Sequence, residues 1–212
     1  NGDSTFTGAA TFSDDAAMAA GTTTTFSSTF SGVDITGTTT ANMTFNGAVT
    51  STGNIAAGVG STTAFNSTVS AVDLSNSGAM TLKGAVTLSG TMTTVSGSTI
   101  TLGSAFKAGS AAAITAASTS VGTLDQTVNA VTVNVNNQFT TGTVVLFKNT
   151  AAALDSDDLA SFNVTDTAIV DYTAALSSTA KAIEITANKR TTAGIATYLG
   201  MSTAQSAALG QI

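Results

Sequence analysis

Two groups of closely spaced aspartates are the side chains best suited to metal chemistry. Asp14 and Asp15 are adjacent, and Asp155, Asp157 and Asp158 follow one another with a single Ser between the first two. Carboxylate oxygens are the ligands that Ca²⁺ prefers. Neither group has the spacing of an EF-hand or of a glycine-rich calcium repeat. We predict an exposed loop at 155–158, with Asp155, Asp157 and Asp158 as candidate calcium ligands, and no other cofactor.

Few residues are suited to catalysis. The chain contains no His and no Cys, which removes the usual general base and thiol chemistry. A glycosidase or polysaccharide lyase needs two carboxylates facing one groove, or a carboxylate beside Arg and Lys. Arg190 is the only Arg and Glu184 the only Glu, and Glu184 falls inside a predicted strand. No Gly-x-x-x-x-Gly-Lys phosphate loop is present. We therefore predict a protein that is not an enzyme.

The elements that would position these residues are short strands. Between residues 115 and 189, apolar side chains alternate with Thr, Asn and Asp, which is the period of a strand with one face buried. The runs have these apolar members: Val131, Val133 and Val135; Val144 and Leu146; Phe162 and Val164; Ile169 and Tyr172; Ile183, Ile185 and Ala187.

Residues 1–110 carry a degenerate repeat. Its apolar anchors are Phe6, Phe30, Phe45, Phe65 and Leu82, with offsets of 24, 15, 20 and 17 residues. Repeats of about this length indicate a solenoid in which equivalent side chains stack in register. A Gly two positions after most anchors predicts a corner of the coil. We expect the Phe stack to be internal and not an exposed ladder for sugars, because Phe has no polar edge.

Composition agrees with an elongated all-β fold. Charged residues make up only 8% of the chain and aromatic residues 6%, whereas ordinary soluble domains have about 25% charged residues. A stack of coils needs only a narrow apolar strip per coil. The net charge is −6 and the first basic residue is Lys83, so nucleic acid is not an expected partner. No apolar run reaches the length of a membrane span.

The period changes near the C-terminus. Ile195, Tyr198 and Leu199 have helical spacing, and Gly200 follows as a helix stop. Ser202 and Gln205 form a capping-box pattern for a second helix. We therefore predict an all-β protein, an elongated β-solenoid (parallel β-helix) with a small helical C-terminal cap. Its parts are a repeat region at 1–110, a strand-rich body at 111–190 and the cap at 191–212.

Part of the chain resembles a known class of surface protein. Residues 115–212, with Gly142-Thr143-Val144-Val145-Leu146-Phe147, Phe162-Asn163-Val164-Thr165, Tyr172-Thr173-Ala174-Ala175-Leu176, Ile183-Glu184-Ile185-Thr186-Ala187 and Leu199-Gly200-Met201-Ser202-Thr203-Ala204-Gln205, resemble the late passenger region of bacterial autotransporter-type proteins. The resemblance implies a right-handed parallel β-helix exported to the cell surface. The first hundred residues more loosely resemble the repeats of adhesins and phage tail fibres.

These observations favour an extracellular structural protein that assembles with itself into a surface filament, fibre or sheath. The segment Ser4–Phe12 is short and alternates, so we expect Ser4, Thr5, Phe6, Thr7, Thr11 and Phe12 to engage a neighbouring copy. One alternative is an adhesin passenger that binds glycan or protein on a host or neighbouring cell. The other is a phage-type trimeric tail fibre.

Overall fold

The computed structural model describes residues 2–117, 131–135 and 141–209. The predicted body at 111–190 therefore falls partly outside the described residues. The chain is 47% strand and forms a β-solenoid of about five turns, with three short helices near the C-terminus. The all-β class and the parallel β-solenoid predicted from the sequence are confirmed.

The elements of the described residues are as follows, in chain order: β1 (Ser4–Phe6), β2 (Ala10–Thr11), β3 (Ala16–Met18), β4 (Thr23–Phe26), β5 (Phe30–Gly32), β6 (Ile35–Gly37), β7 (Asn42–Phe45), β8 (Val49–Ser51), β9 (Ile55–Ala57), β10 (Thr62–Phe65), β11 (Val69–Ala71), β12 (Leu74–Asn76), β13 (Ala79–Leu82), β14 (Val86–Leu88), β15 (Met92–Thr94), β16 (Ser98–Leu102), β17 (Ile114–Ala116), β18 (Val131–Val135), β19 (Gly142–Asn149), α1 (Ser156–Ala160), β20 (Phe162–Thr165), β21 (Val170–Leu176), β22 (Ala182–Lys189), α2 (Thr192–Tyr198) and α3 (Thr203–Leu209).

Each of the first five coils contributes one strand to each of three sheets. Sheet A has the order β1-β4-β7-β10-β13-β16-β18-β20, and sheet C has the order β15-β12-β9-β6-β3. Sheet B has the order β2-β5-β8-β11-β14-β17-β19-β22-β21. All pairs are parallel except β19 with β22 and β22 with β21. The antiparallel hairpin was not expected, because alternation within a strand does not specify the direction of its neighbour.

The repeat register differs from the predicted one at a single anchor. Phe6 pairs with Phe26, Phe26 with Phe45, and Phe45 with Phe65, which in turn is opposite Leu82. The anchor after Phe6 is therefore Phe26, not Phe30, and the offsets become 20, 19, 20 and 17 residues. Phe30 lies in sheet B, opposite Ala10 and Val49. The predicted unevenness came from choosing the wrong one of two phenylalanines that lie four residues apart.

The core is a column of stacked side chains inside the coils. Phe6, Phe26, Phe45 and Phe65 stack face to face with successive ring centroids 4.9, 5.0 and 5.3 Å apart. Phe30 meets Phe26 and Phe45 edge-on at 4.7 and 5.5 Å. Offset and edge-to-face geometries are the ones that aromatic pairs prefer. Phe30, Phe45 and Phe65 are buried as predicted, whereas Phe6, at the end of the stack, is exposed. The prediction of an internal stack is therefore confirmed for all of its members except Phe6.

Turns between sheets C and A recur at fixed positions. Gly21, Thr40, Gly60 and Gly97 occupy them with φ values of 70°, 60°, 68° and 85°. Between β12 and β13 this turn is two residues shorter than between β9 and β10, and the preceding corner between β11 and β12 is one residue shorter than between β8 and β9. Together these two changes produce the 17-residue offset. The side chain of Asn76 supplies hydrogen bonds at the shortened turn. Its NH₂ group donates to the Thr99 carbonyl at 3.2 Å, and its carbonyl oxygen accepts from the Gly78 N–H at 3.3 Å.

Two copies of the corner between sheets A and B require glycine for a different reason. A Cβ on Gly47 would lie 2.4 Å from the carbonyl carbon of Ser28, in the coil before it. Gly84 meets Ser67 in the same way, also at 2.4 Å. Neither glycine has a positive φ, so each is needed for close approach of two backbones and not for an unusual backbone conformation. The predicted corner is confirmed at both positions. It is wrong at Gly32, which follows the mistaken anchor Phe30 and lies inside β5.

Helices α2 and α3 follow β22 as the sequence predicts. Thr191 caps α2, its hydroxyl accepting from the Gly194 N–H at 3.1 Å. The helix ends in a Schellman motif, with N–H groups of Gly200 and Met201 donating to the carbonyls of Thr197 and Ala196. At α3 the backbone N–H of Ser202 donates to the Gln205 side chain at 2.8 Å, as in the predicted capping box.

Candidate functional site

The first-coil edge, formed by β1, β2 and β3, brings terminal strands of all three sheets together at one surface. These three strands are the terminal members of sheets A, B and C at one end of the coil stack. The Phe6 carbonyl accepts from the Ser27 N–H of the second coil, and the N–H groups of Ala10 and Ala16 donate to the carbonyls of Thr29 and Asp34. In a parallel sheet successive residues address opposite neighbours. Thr5, Thr11 and Ala17 therefore direct their backbone N–H and C=O groups to the open side.

The edge also exposes aromatic surface. Phe6 is 39% exposed, whereas Phe26 directly behind it is 1% exposed. Phe12 packs against Phe30 at 5.3 Å and against Phe6 at 6.0 Å, so it closes only part of the coil. A cavity of about 380 Å³ opens here, and its lining includes Phe6, Phe12, Met18 and Phe26. An open coil end leaves apolar core side chains accessible to an added strand layer.

The predicted assembly residues fall on this edge. Ser4, Thr5 and Phe6 form β1, and Thr11 belongs to β2. Ser4, Thr5, Thr7 and Thr11 are exposed. Their placement at a sheet edge is the arrangement that strand addition requires.

The opposite end of sheets A and B offers matching strands. Their last members among the described residues are β20 and β21. β20 is parallel to β18 and therefore has the direction of β1. β21 has the direction of β2, because two successive antiparallel pairings restore the original direction.

Asp14 and Asp15 lie at the corner between sheets B and C. The Asp15 carboxylate accepts from the Asp34 N–H at 3.3 Å, and the Asp34 carboxylate accepts from the Asn54 N–H at 2.6 Å. Asp73 accepts from the Thr91 N–H at 2.6 Å. Asp14 accepts from the N–H of its neighbour Asp15. Asp15, Asp34 and Asp73 therefore join the first coil to the second, the second to the third and the fourth to the fifth at this corner.

The predicted loop at 155–158 is wrong, because these residues begin helix α1. Asp155 is the N-cap, and one of its carboxylate oxygens accepts from the N–H groups of Asp157 and Asp158 at 2.9 and 3.0 Å. The Asp158 carboxylate accepts in return from the Asp155 N–H at 2.9 Å, which completes a capping box. Asp158 is buried, and burial is the main cause that raises the pKa of its carboxyl group.

The three aspartates are thus not grouped around a common centre. Across residues 2–117, 131–135 and 141–209, no three acidic, His or Cys side chains are placed where they could hold a metal ion. Calcium binding by Asp155, Asp157 and Asp158 stays a prediction from the sequence.

Arg190 is the centre of a charged cluster that the sequence did not reveal. Its guanidinium group lies 2.6 Å from Asp166 and 3.3 Å from Asp171, and 4.8 Å from the ring centre of Tyr198. The Tyr198 hydroxyl donates to the Asp166 carbonyl at 3.2 Å. These contacts attach α2 to the loop before β21.

Ile169 in that loop is 52% exposed, so its predicted inward orientation is wrong.

The outer face of sheet A carries two ranks of small uncharged residues, mostly Thr and Asn, which sequence reasoning did not identify. One rank is Thr5, Thr25, Thr44, Ala64, Thr81, Thr101, Asn134 and Thr165. The other is Thr23, Asn42, Thr62, Ala79, Thr99, Thr132 and Asn163. The signal was present as Thr-x-Thr-Phe ending at Phe26, but the mistaken anchor at Phe30 concealed it.

The part of the chain that the structure describes has no helix that is long and apolar enough to cross a membrane. Neither a protein-family model, nor a curated protein, nor a solved structure matches this chain. Function must therefore be inferred from the geometry of the surfaces described above.

Proposed function

We propose that this chain is an extracellular structural protein, the subunit of a self-assembling surface filament, fibre or sheath. The observation that supports the proposal best is the first-coil edge, where three strand edges and an exposed Phe6 lie at one end of the stacked core. Parallel strands from a second copy can extend sheets A and B there, and they would cover the exposed ring of Phe6.

The two ends of the molecule support head-to-tail addition. The edge strands β20 and β21 run in the same direction as β1 and β2, so a second copy placed end to end forms parallel pairs without reversal. A contact between two different surfaces of identical chains does not close on itself unless the rotation returns to the start. Such a contact produces an open filament.

A pair of double variants tests the proposal. Thr5→Pro with Thr11→Pro removes two N–H groups that point to the open side, whereas Thr5→Val with Thr11→Val keeps them and suits a strand. We expect wild type and the valine variant to form filaments with rising concentration, and the proline variant to stay monomeric. Negative-stain microscopy and sedimentation velocity give the readout, and circular dichroism checks the fold.

Wild-type protein that stays a single monomeric species at all concentrations would exclude self-assembly. A stable trimer on sizing would favour the phage-type fibre instead. The adhesin alternative, with a glycan or surface protein as partner, is tested separately with a glycan array. Surface localisation and the absence of enzymatic activity stay predictions from the sequence.

A further inference from the structure

The outer face of sheet A is more regular than any other surface of the described residues. Eight parallel strands pair residue for residue from β1 to β20. Sheet C ends after β15, and sheet B changes to antiparallel pairing after β19. Sheet A keeps its register from β16 to β18 to β20, although the paired residues of these successive strands are 33 and 31 positions apart in the chain. Sheet A therefore stays parallel and in register over a part of the chain where sheet C has ended and sheet B has become antiparallel.

The hydroxyl groups of this face are available to solvent. Thr25, Thr44, Thr81 and Thr101 are partly exposed, and their side chains have no hydrogen-bond partner among the described residues. Corner threonines behave differently: Thr22 and Thr38 donate their hydroxyls to the carbonyls of Ala19 and Met18, both at 2.8 Å. Thr is branched at Cβ, so its methyl and hydroxyl are held in few rotamers on a strand.

The two ranks form a rectangular array. Adjacent strands in a sheet lie about 4.8 Å apart, and alternate residues along a parallel strand lie about 6.6 Å apart. Eight strands extend the array over about 34 Å. Stacked Phe, Met and Leu side chains fill the interior directly beneath it, which keeps its spacing fixed.

The array contains neither charged nor aromatic side chains. None of the residues in its two ranks is charged or aromatic. The carboxylates of Asp15, Asp34 and Asp73 lie at the corner between sheets B and C, opposite sheet A in a three-sided coil. A face without aromatic rings is poorly suited to stacking on sugars. A flat, neutral array of hydroxyl and methyl groups is instead suited to holding ordered water molecules at its own spacing.

We infer that the outer face of sheet A binds the surface of crystalline ice. Oxygen atoms on the prism faces of hexagonal ice also repeat in a rectangular pattern, with one spacing near that between adjacent strands and the other somewhat longer than that between alternate residues of a strand. Water molecules held between the Thr side chains therefore occupy positions of the ice lattice, and the methyl groups exclude other waters between them. The inference does not depend on self-association.

Variants on matched positions of two sheets test this binding. Thr44→Tyr with Thr81→Tyr places bulky rings on sheet A in the third and fifth coils. Thr50→Tyr with Thr87→Tyr places the same rings on the exposed face of sheet B in the same coils. We expect thermal hysteresis and binding of labelled protein to a single ice crystal from wild type and from the sheet B variant, and loss of both from the sheet A variant.

A variant that is expected to increase thermal hysteresis controls for misfolding, because a misfolded protein would not gain this activity. Ala64 and Ala79 are the only positions of the two ranks where Ala interrupts the pattern of Thr and Asn. Ala64→Thr fills the gap in the first rank, so thermal hysteresis at equal concentration should increase. Absence of hysteresis from folded wild type would overturn the inference, as would equal loss from the sheet B variant. Binding to insoluble cellulose or chitin without binding to ice would overturn it too.

Discussion

At the scale of single residues, the turn between sheets C and A shows how one backbone angle limits which residue each copy of the turn can use. Three of its four copies with a positive φ use Gly, and the fourth uses Thr40 with φ of 60°. A left-handed conformation costs an L-residue about 1–2 kcal/mol, and a β-branched residue is among the least suited to it. The solenoid tolerates this strain because hydrogen bonds to the coils on either side hold the turn, including one from the Thr40 N–H to the Val59 carbonyl at 3.0 Å.

Thr40→Gly should therefore stabilise the protein. Relief of the left-handed strain exceeds the extra backbone entropy of Gly, and we expect a gain of about 0.5–1 kcal/mol in the free energy of unfolding. Urea denaturation measures it. Thr39→Gly, in the same turn at an ordinary φ, is the control and should destabilise. A loss of stability in Thr40→Gly would contradict the assigned strain.

At the scale of elements, close stacking of coils limits which side chains a corner accepts. Residues at one corner alternate between Gly and Ser: Gly8, Ser28, Gly47, Ser67 and Gly84. Gly47 and Gly84 lie against the Ser of the preceding coil, whereas a Cβ added to Gly8 would have no other residue within 4 Å. The same sequence position therefore has different steric limits in different coils.

Gly47→Ala and Gly8→Ala form a matched pair for this limit. The methyl group that Gly47→Ala adds would lie 2.4 Å from backbone atoms of Ser28, which cannot move aside as a flexible side chain can. We expect a loss of about 1–3 kcal/mol or more for Gly47→Ala. Gly8→Ala should change stability by less than about 0.5 kcal/mol. Equal effects in thermal denaturation would show that the coils are less tightly stacked there.

Asp158 in helix α1 makes the free energy of unfolding depend on pH in a predictable direction. Burial raises the pKa of Asp158 above its ordinary range, the charges of Asp155 and Asp157 add to the rise, and the hydrogen bond from the Asp155 N–H opposes it. A carboxyl with a higher pKa in the folded chain binds more protons when folded. Its contribution to stability is therefore lost as the pH rises through the interval above about 3.9.

Asp158→Asn should remove this dependence. The Asn carbonyl can still accept from the Asp155 N–H, but it carries no charge to desolvate. We expect the variant to gain stability relative to wild type as the pH is raised from about 4 to about 7. Urea denaturation of both proteins across this range measures the difference. A difference that is constant with pH, or that changes in the opposite sense, would contradict the role of burial.

At the scale of the whole molecule, stability is distributed along the stack. A solenoid coil contacts only its neighbours, so total stability is close to a sum of coil and interface contributions. Phe45 has Phe26 and Phe65 on its two sides, whereas Phe6 has a stacked ring on one side only. The first coil is therefore the one most easily opened.

Two measurements test this distribution. Phe45→Ala should cost about 3–5 kcal/mol, and Phe6→Ala much less, because Phe6 is already partly in water. Amide hydrogen exchange of the monomer should be faster in β1–β3 than in β7–β12. Uniform protection along the stack, or equal losses from the two Phe variants, would indicate a single cooperative unit.

The sequence alone determined the class of fold, the existence of the strands and the inward set of most side chains. Alternation with period two and a repeat of about 20 residues are local properties, and they carry over directly into coils. The Gly200 helix stop and the capping box of Ser202 and Gln205 were equally readable, because a helix end is satisfied by residues within a few positions of it. The capping box of Asp155 and Asp158 was missed, because an acidic run is also typical of an exposed loop.

The tertiary structure alone decided which residues of different coils meet. Phe26 and Phe30 have the same type and nearly the same position, and only the pairing of whole strands assigns one to sheet A and the other to sheet B. The same pairing sets the Thr ranks, the contacts of Asp15, Asp34 and Asp73 with the next coil, and the antiparallel β22. Register and strand direction depend on contacts between residues far apart in the chain, and period-two alternation is the same for either direction.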